Sequence, residues 1–450
     1  MKAKRLFGTD GIRGAAGEFP LDEGTVARVG AAIAHVLGAP QRRPKILIGR
    51  DTRESGAWIE ETLARSIMSG GGAASAAGVI TTAGIACLTK ARGFDAGVMI
   101  SASHNPFRDN GIKVFSKDGY KLPDSEEARI EKHVLDDEET PGAGGGATWS
   151  EAATDLMASY RDHLLSAVAG ARLEGMKVVL DCANGASHQV GPDVFRALGA
   201  AVVVLSDTPD GTNINSGCGS LHPEAMCDAV LMSGAQMGCA FDGDADRCIL
   251  ADEKGQVCDG DFILYRAALA LKESGRLAGD LVVATVMSNL WLERALKREG
   301  IRMLRAPVGD KYVLEEMLRS GSRLGGEQSG HVIFLDHATT GDGVLTALMT
   351  AAALHRAERP LSSWRSQVAP CPQILINVRV SSRPPLEEHK VIGAKAAEIR
   401  TRLGETGRLL LRYSGTEPLA RVMIEAEDAD QVGALAREMA DVITDEIGER

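Results

Sequence analysis

The sequence predicts an α/β protein with three similar domains, followed by a smaller α+β domain at the C-terminal end. The length of 450 residues suits about three domains at ~150 residues each. An apolar strand, a polar loop with glycine and an amphipathic helix recur along most of the chain, as in α/β units with a buried sheet. Only the last ~80 residues depart from this pattern.

The strand–loop–helix unit occurs three times. Its first strands are KILIGRD (Lys45–Asp51), KVVLDCANG (Lys177–Gly185) and LVVATVMSN (Leu281–Asn289). We predict helices after the first two, from about Ser55 to Met68 and near Pro192 to Leu198. Because these strands lack strict apolar–polar alternation, we expect each sheet to be buried.

A further helix precedes the first unit. Val26, Val29, Ile33 and Val36 follow helical spacing, and Gly38 stands where this helix would end. This amphipathic helix fits the α/β pattern of the segments that follow it.

The C-terminal region predicts an open α+β layer in the order β-α-β-β-α. ILINVRV (Ile374–Val380) alternates apolar and polar residues, as a half-exposed strand does. A helix with Ala396, Ile399 and Leu403 on one face follows, and two strands and a last helix complete the region.

We expect domain boundaries that divide the chain into residues 1–148, 149–254, 255–369 and 370–450. Stretches rich in glycine or proline, or in charged and polar residues, indicate linkers near these boundaries. They are PGAGGGA at 141–147, DEKGQ at 252–256 and APCP at 369–372.

Charge and composition exclude a nucleic-acid polymer as a general partner. Lys and Arg total 50 and Asp and Glu total 61, so the net charge is −11, and a polyanion would be repelled. Aromatic residues are only 4% of the chain, too few for platforms that stack single-stranded bases. A small anion can still bind, because a local basic cleft overrides the net charge.

The cysteines and the apolar segments indicate a cytoplasmic protein without a membrane partner. The eight cysteines contain no CxxC pair, and Cys239 and Cys248 lie in apolar runs, so we interpret them as reduced core residues. The opening MKAKRLFGTDG lacks the apolar segment of a signal peptide. The longest apolar stretch, Val344–Leu354, is too short to span a bilayer.

The loop DGDADR carries Asp242, Asp244 and Asp246 at alternate positions after an apolar run. In a tight loop, three carboxylates can converge on one hard cation such as Mg²⁺ or Ca²⁺. An EF-hand is disfavoured, because Arg247 stands where that loop needs glycine. An aspartyl-phosphatase loop with Asp242 as nucleophile and a solvated acidic turn remain as alternatives.

Three further loops carry groups that bind sugars or phosphates. SASHNP places Ser103 beside His104, so Ser103 is a nucleophile or phosphate carrier, or else a hydroxyl that bonds to local backbone. GGEQSGH supplies Glu327 and Ser329, which can bind sugar hydroxyls. RYSGTEP (Arg412–Pro418) offers a guanidinium, hydroxyls and a glycine amide, which form either a phosphate cup or an ordinary turn.

Taken together and in this order, the four loops resemble those of the α-D-phosphohexomutase family. The matching motifs, SASHNP, DGDADR, GGEQSGH and RYSGTEP, span nearly the whole chain. The opening LFGTDGIRG and the form GEQSGH are most similar to the bacterial branch that acts on glucosamine phosphates. The resemblance implies mixed sheets, domains arranged around a central cleft and a phosphosugar substrate, and it leaves a homodimer open.

The resemblance also implies a reaction, which is the interconversion of glucosamine 6-phosphate and glucosamine 1-phosphate. Ser103 would carry the phosphoryl group and hold Mg²⁺ together with the three aspartates. A sugar 1,6-bisphosphate would be the intermediate, and the product would feed the synthesis of UDP-N-acetylglucosamine and cell-wall precursors.

The same resemblance assigns roles to other residues. Lys113 and His331 are candidates for proton transfer. Positive charge around the phosphoserine is expected from His104, Arg247, Arg13, Arg50 and Arg53. Substrate contacts are expected from Lys311, where the family often has arginine, and from Glu327, Ser329, Arg412, Ser414, Gly415, Thr416 and Arg421.

Three alternatives remain beside this interpretation. A sibling mutase would act on glucose or mannose phosphates. A non-catalytic sugar-phosphate-binding protein of the same fold is disfavoured, because Ser103 and the three aspartates are intact. An aspartyl phosphatase would carry its phosphate on Asp242 instead of the serine.

Overall fold

The computed structural model describes residues 6–8, 10–38, 42–136, 154–414 and 417–449, and the structural statements below concern these residues. The chain divides into a larger unit, residues 1–285 and 304–365, and a smaller unit, residues 286–303 and 366–450. Within the described ranges, no helix combines the length and the apolar character needed to cross a membrane. The predicted linker PGAGGGA lies outside the described residues.

The first part of the larger unit contains a mixed six-stranded sheet. Its strands are β1 (Phe7–Gly8), β2 (Gly11–Ala15), β3 (Lys45–Arg50), β4 (Ala73–Val79), β5 (Ala96–Ile100) and β6 (Asp109–Ser116). They lie in the order β1-β2-β6-β5-β3-β4, with β3 parallel to β4 and β5 and with β6 antiparallel to its neighbours. The helices are α1 (Glu23–Leu37), α2 (Glu54–Ser69), α3 (Thr82–Ala91) and α4 (Asp124–Leu135).

Helix α1 confirms the helix predicted from Val26 to Val36. Its four predicted apolar positions are all buried in the core of this region. The side chain of Asp22 accepts a hydrogen bond from the amide of Thr25 and so caps the first turn, which satisfies a donor that has no partner within the helix. Gly38 follows the last turn, as the sequence predicts.

The second part of the larger unit contains five strands. Its elements are α5 (Thr154–Ala167), β7 (Lys177–Asp181), α6 (Val190–Ala197), β8 (Ala201–Leu205), α7 (Glu224–Ser233), β9 (Met237–Phe241), β10 (Cys248–Asp252) and β11 (Val257–Cys258). The strand order is β11-β10-β9-β7-β8, with β7 parallel to both β8 and β9. The acidic loop DGDADR joins β9 to β10.

The third α/β region follows the same plan with four strands, but its residues 286–303 belong to the smaller unit. Its elements are α8 (Gly260–Glu273), β12 (Leu281–Thr285), α9 (Leu290–Arg298), β13 (Arg302–Ala306), α10 (Asp310–Ser320), β14 (Leu324–Gly326), β15 (Val332–Phe334), α11 (Gly343–Ala357) and α12 (Leu361–Arg365). The strand order is β13-β12-β14-β15. The loop with Glu327 and Ser329 joins β14 to β15.

The smaller unit confirms the predicted order β-α-β-β-α. Its elements are β16 (Gln373–Arg379), α13 (Lys390–Leu403), β17 (Gly407–Tyr413), β18 (Leu419–Ala426) and α14 (Ala429–Ile447), with the antiparallel order β16-β18-β17. The predicted helix face of Ala396, Ile399 and Leu403 lies in its core. Helix α9 belongs to this unit, where Arg294 pairs with Glu427 at 2.7 Å.

One predicted linker has a different structure. DEKGQ forms the tight turn of the hairpin between β10 and β11, so the prediction of a linker there is wrong. One carboxylate oxygen of Asp252 accepts hydrogen bonds from the amides of Lys254 and Gln256. Gly255 adopts a φ of 68°, a conformation that glycine takes without steric cost.

All eight cysteines are free thiols, and seven are buried, while Cys87 is half-buried. Burial and the charge of Asp342, against the opposing charge of Lys90, together raise the pKa of the Cys87 thiol to about 12. This half-buried thiol is therefore protonated at neutral pH.

Candidate active site

The loop after β5 presents the hydroxyl of Ser103 to the acidic loop after β9. Ser103 is buried and has a left-handed backbone with φ of 54°. Its Oγ donates a 2.6 Å hydrogen bond to Oδ2 of Asp242, and its amide donates a 2.9 Å bond to Oγ of Ser101. Because non-glycine residues rarely adopt this conformation, the surroundings must hold the loop in place.

Arg53 supplies that support. Its guanidinium is completely buried, and Nε donates a 2.9 Å hydrogen bond to Oδ2 of Asp51. The remaining four donors bond to backbone carbonyl oxygens of the serine loop, those of Ser103, Asn105, Pro106 and Asp109. All five N–H groups of the arginine are therefore occupied. Its charge lies near Ser103, as the sequence predicts, but its donors bind the loop backbone.

Asp242, Asp244 and Asp246 form a compact acidic cluster. All three are buried, and one carboxylate oxygen of each lies within 4.8 Å of the others. Among the described residues, Oδ1 of Asp244 and Oδ1 of Asp246 have no hydrogen-bond partner. Buried carboxylate oxygens are costly unless paired or bound to a cation. The cluster therefore fits a hard metal ion, which takes oxygen ligands.

Lys113 on β6 lies against the acidic cluster. Its Nζ is 2.9 Å from Oδ2 of Asp244, 3.3 Å from Oδ2 of Asp246 and 3.2 Å from Oδ2 of Asp10. Burial alone would lower the pKa of Lys113, but these three carboxylates hold it well above its ordinary value. The side chain is therefore an ammonium at neutral pH, which can donate a proton but cannot accept one.

The aspartates of the cluster differ in the ease with which they ionise. Burial raises the pKa of Asp242 well above its ordinary value, and the charges of Asp246 and Asp244 raise it further. Burial opposes ionisation of Asp244 as well, but Lys113 and the hydroxyl of Thr82 hold its pKa below the ordinary value. A cation near the cluster would therefore stabilise the ionised form of Asp242.

His104 lies beside the serine, with its Nδ1 3.2 Å from Oγ of Ser103. Burial lowers the pKa of His104 to about 4, and the charges of Arg247 and Arg13 contribute to this shift. The imidazole is therefore neutral at pH 7 next to an unmodified serine. The expectation that His104 adds positive charge concerns the phosphorylated serine and stays a prediction. Beside the unmodified serine, the two neighbouring guanidiniums disfavour the charged imidazole.

Arg247 and His331 lie together at the edge of the cluster, where their backbones form a β-bridge. The amide of Arg247 donates a 3.1 Å hydrogen bond to Oδ1 of Asp242, and its Nε is 3.9 Å from Oδ1 of Asp246. The Nε2 atom of His331 accepts a hydrogen bond from the amide of Gly341 at 3.2 Å. The neutral ring therefore carries its proton on Nδ1, which is buried and has no partner among the described residues.

The predicted substrate-binding residues of the larger unit are more exposed to solvent than the acidic cluster. Glu327 is half-buried and its Oε1 accepts a 3.1 Å hydrogen bond from the amide of Gly309, while Ser329 is exposed. Lys311 pairs with Asp124. Both side chains of this pair can be reached by solvent, so a stronger anion can compete for Lys311.

Arg13 and Arg50 are held by carboxylates of their own region. Arg13 pairs with Asp10, and its buried Nε lacks a partner within the described residues. Arg50 bonds through Nε to Glu60 at 3.0 Å. The structure therefore places Arg13 near the acidic cluster, through Asp10 and Lys113, and gives Arg50 a separate partner.

The loop between β17 and β18 of the smaller unit brings two arginines together. Arg412 and Arg421 are directly opposite each other on the antiparallel strands. Neither Nε has a partner in the part of the chain that the structure describes, and Nη2 of Arg421 is 3.4 Å from Oγ of the buried Ser414. Burial lowers the pKa of Arg412, and the charge of Arg421 lowers it further. Like charges in this position are destabilising, and a bound anion would relieve the repulsion.

Gly415 and Thr416, the other predicted residues of this loop, lie outside the described residues.

Family models match nearly the whole chain. They describe phosphoglucomutase/phosphomannomutase domains: α/β/α domain I at residues 4–141, domain II at 158–255, domain III at 259–371 and the C-terminal domain at 375–442. A phosphoglucosamine mutase from Solibacter usitatus is 49% identical over 447 residues, which cover 99% of this chain and 100% of the relative. The chain belongs to the phosphoglucomutase/phosphomannomutase family, the α-D-phosphohexomutases.

Other phosphohexomutases agree with this assignment. A phosphoglucosamine mutase from Anaeromyxobacter sp. is 47% identical over 453 residues, which cover 99% of this chain and 97% of the relative. The fold matches a solved family member from Burkholderia thailandensis, with a TM-score of 0.80, 22% identity and full coverage of both chains. It also matches N-acetylphosphoglucosamine mutase from Aspergillus fumigatus, with a TM-score of 0.66, 18% identity and coverage of 98% and 96%.

Several residues of this phosphohexomutase site were not found from the sequence. Lys121 contacts the carboxylates of both Asp10 and Asp310. Thr82 donates a 2.5 Å hydrogen bond from Oγ1 to Oδ2 of Asp244, and Nδ2 of Asn215 donates a 2.9 Å bond to the carbonyl of Ser103. Of these residues, only Asp10 could have been proposed from the sequence, because it lies inside the family-like segment LFGTDGIRG.

The role of Arg53 predicts a large loss of stability on substitution. Arg53→Met would leave Asp51 as a buried unpaired charge, which costs about 3–5 kcal/mol of unfolding free energy. Urea denaturation would measure this loss, and hydrogen exchange would show faster exchange in residues 101–106. The matched control is Arg50→Met, because the Arg50–Glu60 pair is partly exposed and should cost about 1 kcal/mol or less. Equal effects of the two changes would contradict the support role.

Proposed function

We propose that this chain interconverts glucosamine 6-phosphate and glucosamine 1-phosphate, with Ser103 as the phosphate carrier. The observation that carries the proposal is the 2.6 Å contact between Oγ of Ser103 and the Asp242 carboxylate of the buried acidic cluster. The choice of sugar rests on relatives named phosphoglucosamine mutase, which are 44–49% identical over nearly the full length. Glucose and mannose phosphates are the alternative substrates within the family.

The transfer exchanges one O–P bond for another. In the forward direction, the bond between Oγ of Ser103 and phosphorus breaks while the sugar O1 loses its proton and bonds to phosphorus, which gives a 1,6-bisphosphate and a protonated serine hydroxyl. The bisphosphate then reorients. In the second transfer, the bond between O6 and phosphorus breaks, Oγ of Ser103 loses its proton and takes up the phosphoryl group, and O6 gains a proton. Catalysis of this kind depends on position and on charge, because the protein forms few bonds of its own to the phosphoryl group.

Asp242, Asp244, Asp246 and Ser103 would hold Mg²⁺. The unpartnered Oδ1 atoms of Asp244 and Asp246 support this assignment. The bound cation would offset the negative charge on the transferring phosphoryl group.

One side chain is assigned to proton transfer, and a second is assigned to hydrogen bonding with the substrate. Lys113 is an ammonium in contact with the acidic cluster, so we assign it the role of proton donor to the departing oxygen. His331 presents an unpartnered Nδ1–H and would donate a hydrogen bond to the substrate. Arg247 would supply charge beside them.

The smaller unit would bind the phosphate that does not react. The repulsion between Arg412 and Arg421 and the hydroxyl of Ser414 support an anion there. We propose that Glu327 and Ser329 bind the sugar hydroxyls, and that Arg13, Arg50 and Lys311 exchange their present carboxylate partners for substrate. The eight free thiols support the cytoplasm as the compartment.

Ser103→Ala tests the proposal directly. Without the carrier oxygen, turnover of glucosamine 6-phosphate supplied with 1,6-bisphosphate should fall by about 10³-fold or more. A coupled assay for glucosamine 1-phosphate measures this, with glucose and mannose phosphates compared in parallel. Ser101→Ala is the matched control, because it removes a hydrogen bond to the loop and keeps the carrier. Phosphate located on Asp242 by mass spectrometry would favour the aspartyl-phosphatase alternative.

Asp244→Asn tests the metal assignment. The change alters the charge and one candidate ligand oxygen, so the Mg²⁺ concentration at half-maximal rate should rise by about tenfold or more. Calorimetry with the metal alone provides a second measurement that does not depend on turnover. Asp193→Asn, on the exposed face of α6, is the control and should change neither value. Full activity of the wild-type enzyme in excess chelator would contradict the assignment.

Arg412→Ala should raise the KM for the phosphosugar about 10- to 150-fold, because a charge-assisted hydrogen bond contributes ~1.5–3 kcal/mol. Phosphorylation of Ser103 should persist, since the variant alters neither that loop nor the acidic cluster. Steady-state kinetics and mass spectrometry measure the two effects. Arg379→Ala is the matched control, because this exposed arginine lies on β16 of the same sheet. An unchanged KM in Arg412→Ala would show that RYSGTEP is only a turn.

A further inference from the structure

A cavity of about 280 Å³ lies in the larger unit among α5, α8 and α11. None of the residues assigned above to catalysis, metal or substrate lines it. Most of its wall is apolar and made of small side chains, among them Ala267, Ala270, Ala352 and Ala353, with Phe334 and Met349. Such a volume matches the lower end of the range for small-molecule sites, which begins at roughly 300 Å³.

One buried cation interrupts this apolar wall. Arg266 on α8 lines the cavity and is only 3% exposed. Its guanidinium packs on the ring of Trp364, with Cζ 4.0 Å from the ring centroid, which fixes its position. Its Nε and Nη1 are buried without hydrogen-bond partners in the part of the chain that the structure describes. A guanidinium buried in this way normally pairs with an anion.

The surrounding charge is also positive. Arg276 and Arg356 line the same cavity, and none of the described residues on its wall is acidic. Burial lowers the pKa of Arg266, Glu273 opposes that shift, and Arg359 and Arg356 add to it. Among the described residues, no carboxylate lies within ion-pair distance of Arg266; the ion pairs around it join other residues, such as Lys272 and Asp280 at 3.2 Å. An arriving anion would thus meet positive charge that Glu273, which is not part of the cavity wall, only partly offsets.

We propose that this cavity binds a small organic anion, in which a carboxylate or a phosphate monoester is attached to a compact apolar group. The oxyanion would accept hydrogen bonds from the guanidinium of Arg266, whose planar donors suit both groups. The apolar body would occupy the alanine-lined part, where burial of its surface is favourable.

Calorimetric titration of the full-length protein tests the site, with phenyl phosphate and benzoate as probes and inorganic phosphate as the reference. We expect both organic probes to bind with dissociation constants on the order of 1 mM or tighter. Arg266→Met should weaken that binding about tenfold or more, since it removes the charge-assisted contacts. The variant should melt no lower than the wild type, because it also removes an unpaired buried charge.

Arg359→Gln is the matched control. Arg359 contacts the same Trp364 ring at 4.4 Å but does not line the cavity, so binding should change by less than about threefold. A second variant, Ala270→Leu, keeps the guanidinium and fills the cavity, and it should also abolish binding of the organic probes. Since phenyl phosphate could also bind the phosphosugar site, the relevant binding is the fraction that both Arg266→Met and Ala270→Leu remove.

Three results would overturn the proposal. The first is the absence of any binding that Arg266→Met removes. The second is equal binding of inorganic phosphate and phenyl phosphate, which would show that the apolar wall contributes nothing. The third is an equal loss in Arg359→Gln, which would assign the effect to stacking on Trp364. A difference between phenyl phosphate and benzoate would identify which oxyanion the site prefers.

Discussion

The buried guanidinium of Arg53 is the interaction on which the serine loop depends. Its bond to Asp51 neutralises one charge, and its bonds to four carbonyl oxygens fix the loop backbone. Asp51 also accepts a 2.6 Å hydrogen bond from Oγ of Ser101, whose oxygen in turn accepts the amide of Ser103. The left-handed conformation of Ser103 is therefore held from several directions at once. A hydroxyl fixed in this way reaches Asp242 without a change in the loop.

A second constraint is the amount of charge buried beside that hydroxyl. Three aspartates, Asp10 and Lys113 share one small region. Charges in such a place are costly unless each has a partner of opposite sign. Lys113 and Lys121 provide partners for some of the oxygens, whereas Oδ1 of Asp244 and Oδ1 of Asp246 accept no hydrogen bond from the described residues. The fold thus fixes the positions of these buried carboxylates, and part of their negative charge is left for a bound ligand to neutralise.

The elements that could be predicted from the sequence are those formed by consecutive residues. The strands and helices of the smaller unit follow from alternation and helical spacing, and each of the four motifs is one loop after a strand. The support of those loops was not visible. Arg53 was expected only as a charge near Ser103, and Thr82, Lys121 and Asn215 are common residue types outside the four motifs. Their roles arise only when distant strands pack together. DEKGQ was mistaken for a linker because tight turns and linkers share the same composition.

The charge of His104 shows a different limit. The motif indicates a histidine beside the serine, and the structure places it there. Its protonation depends on burial and on two arginines from other loops, and a motif contains neither. Residue identity at the site was therefore predictable, whereas the ionisation state was a property of the folded chain.

The position of Lys113 has a consequence for the stability of the folded chain. Its ammonium already offsets part of the repulsion among the carboxylates of the acidic cluster. The chain therefore supplies part of the charge compensation at this cluster itself, unlike small zinc domains whose folding depends on the metal. An ion bound here would add to a balance of charge that a side chain of the core has already begun.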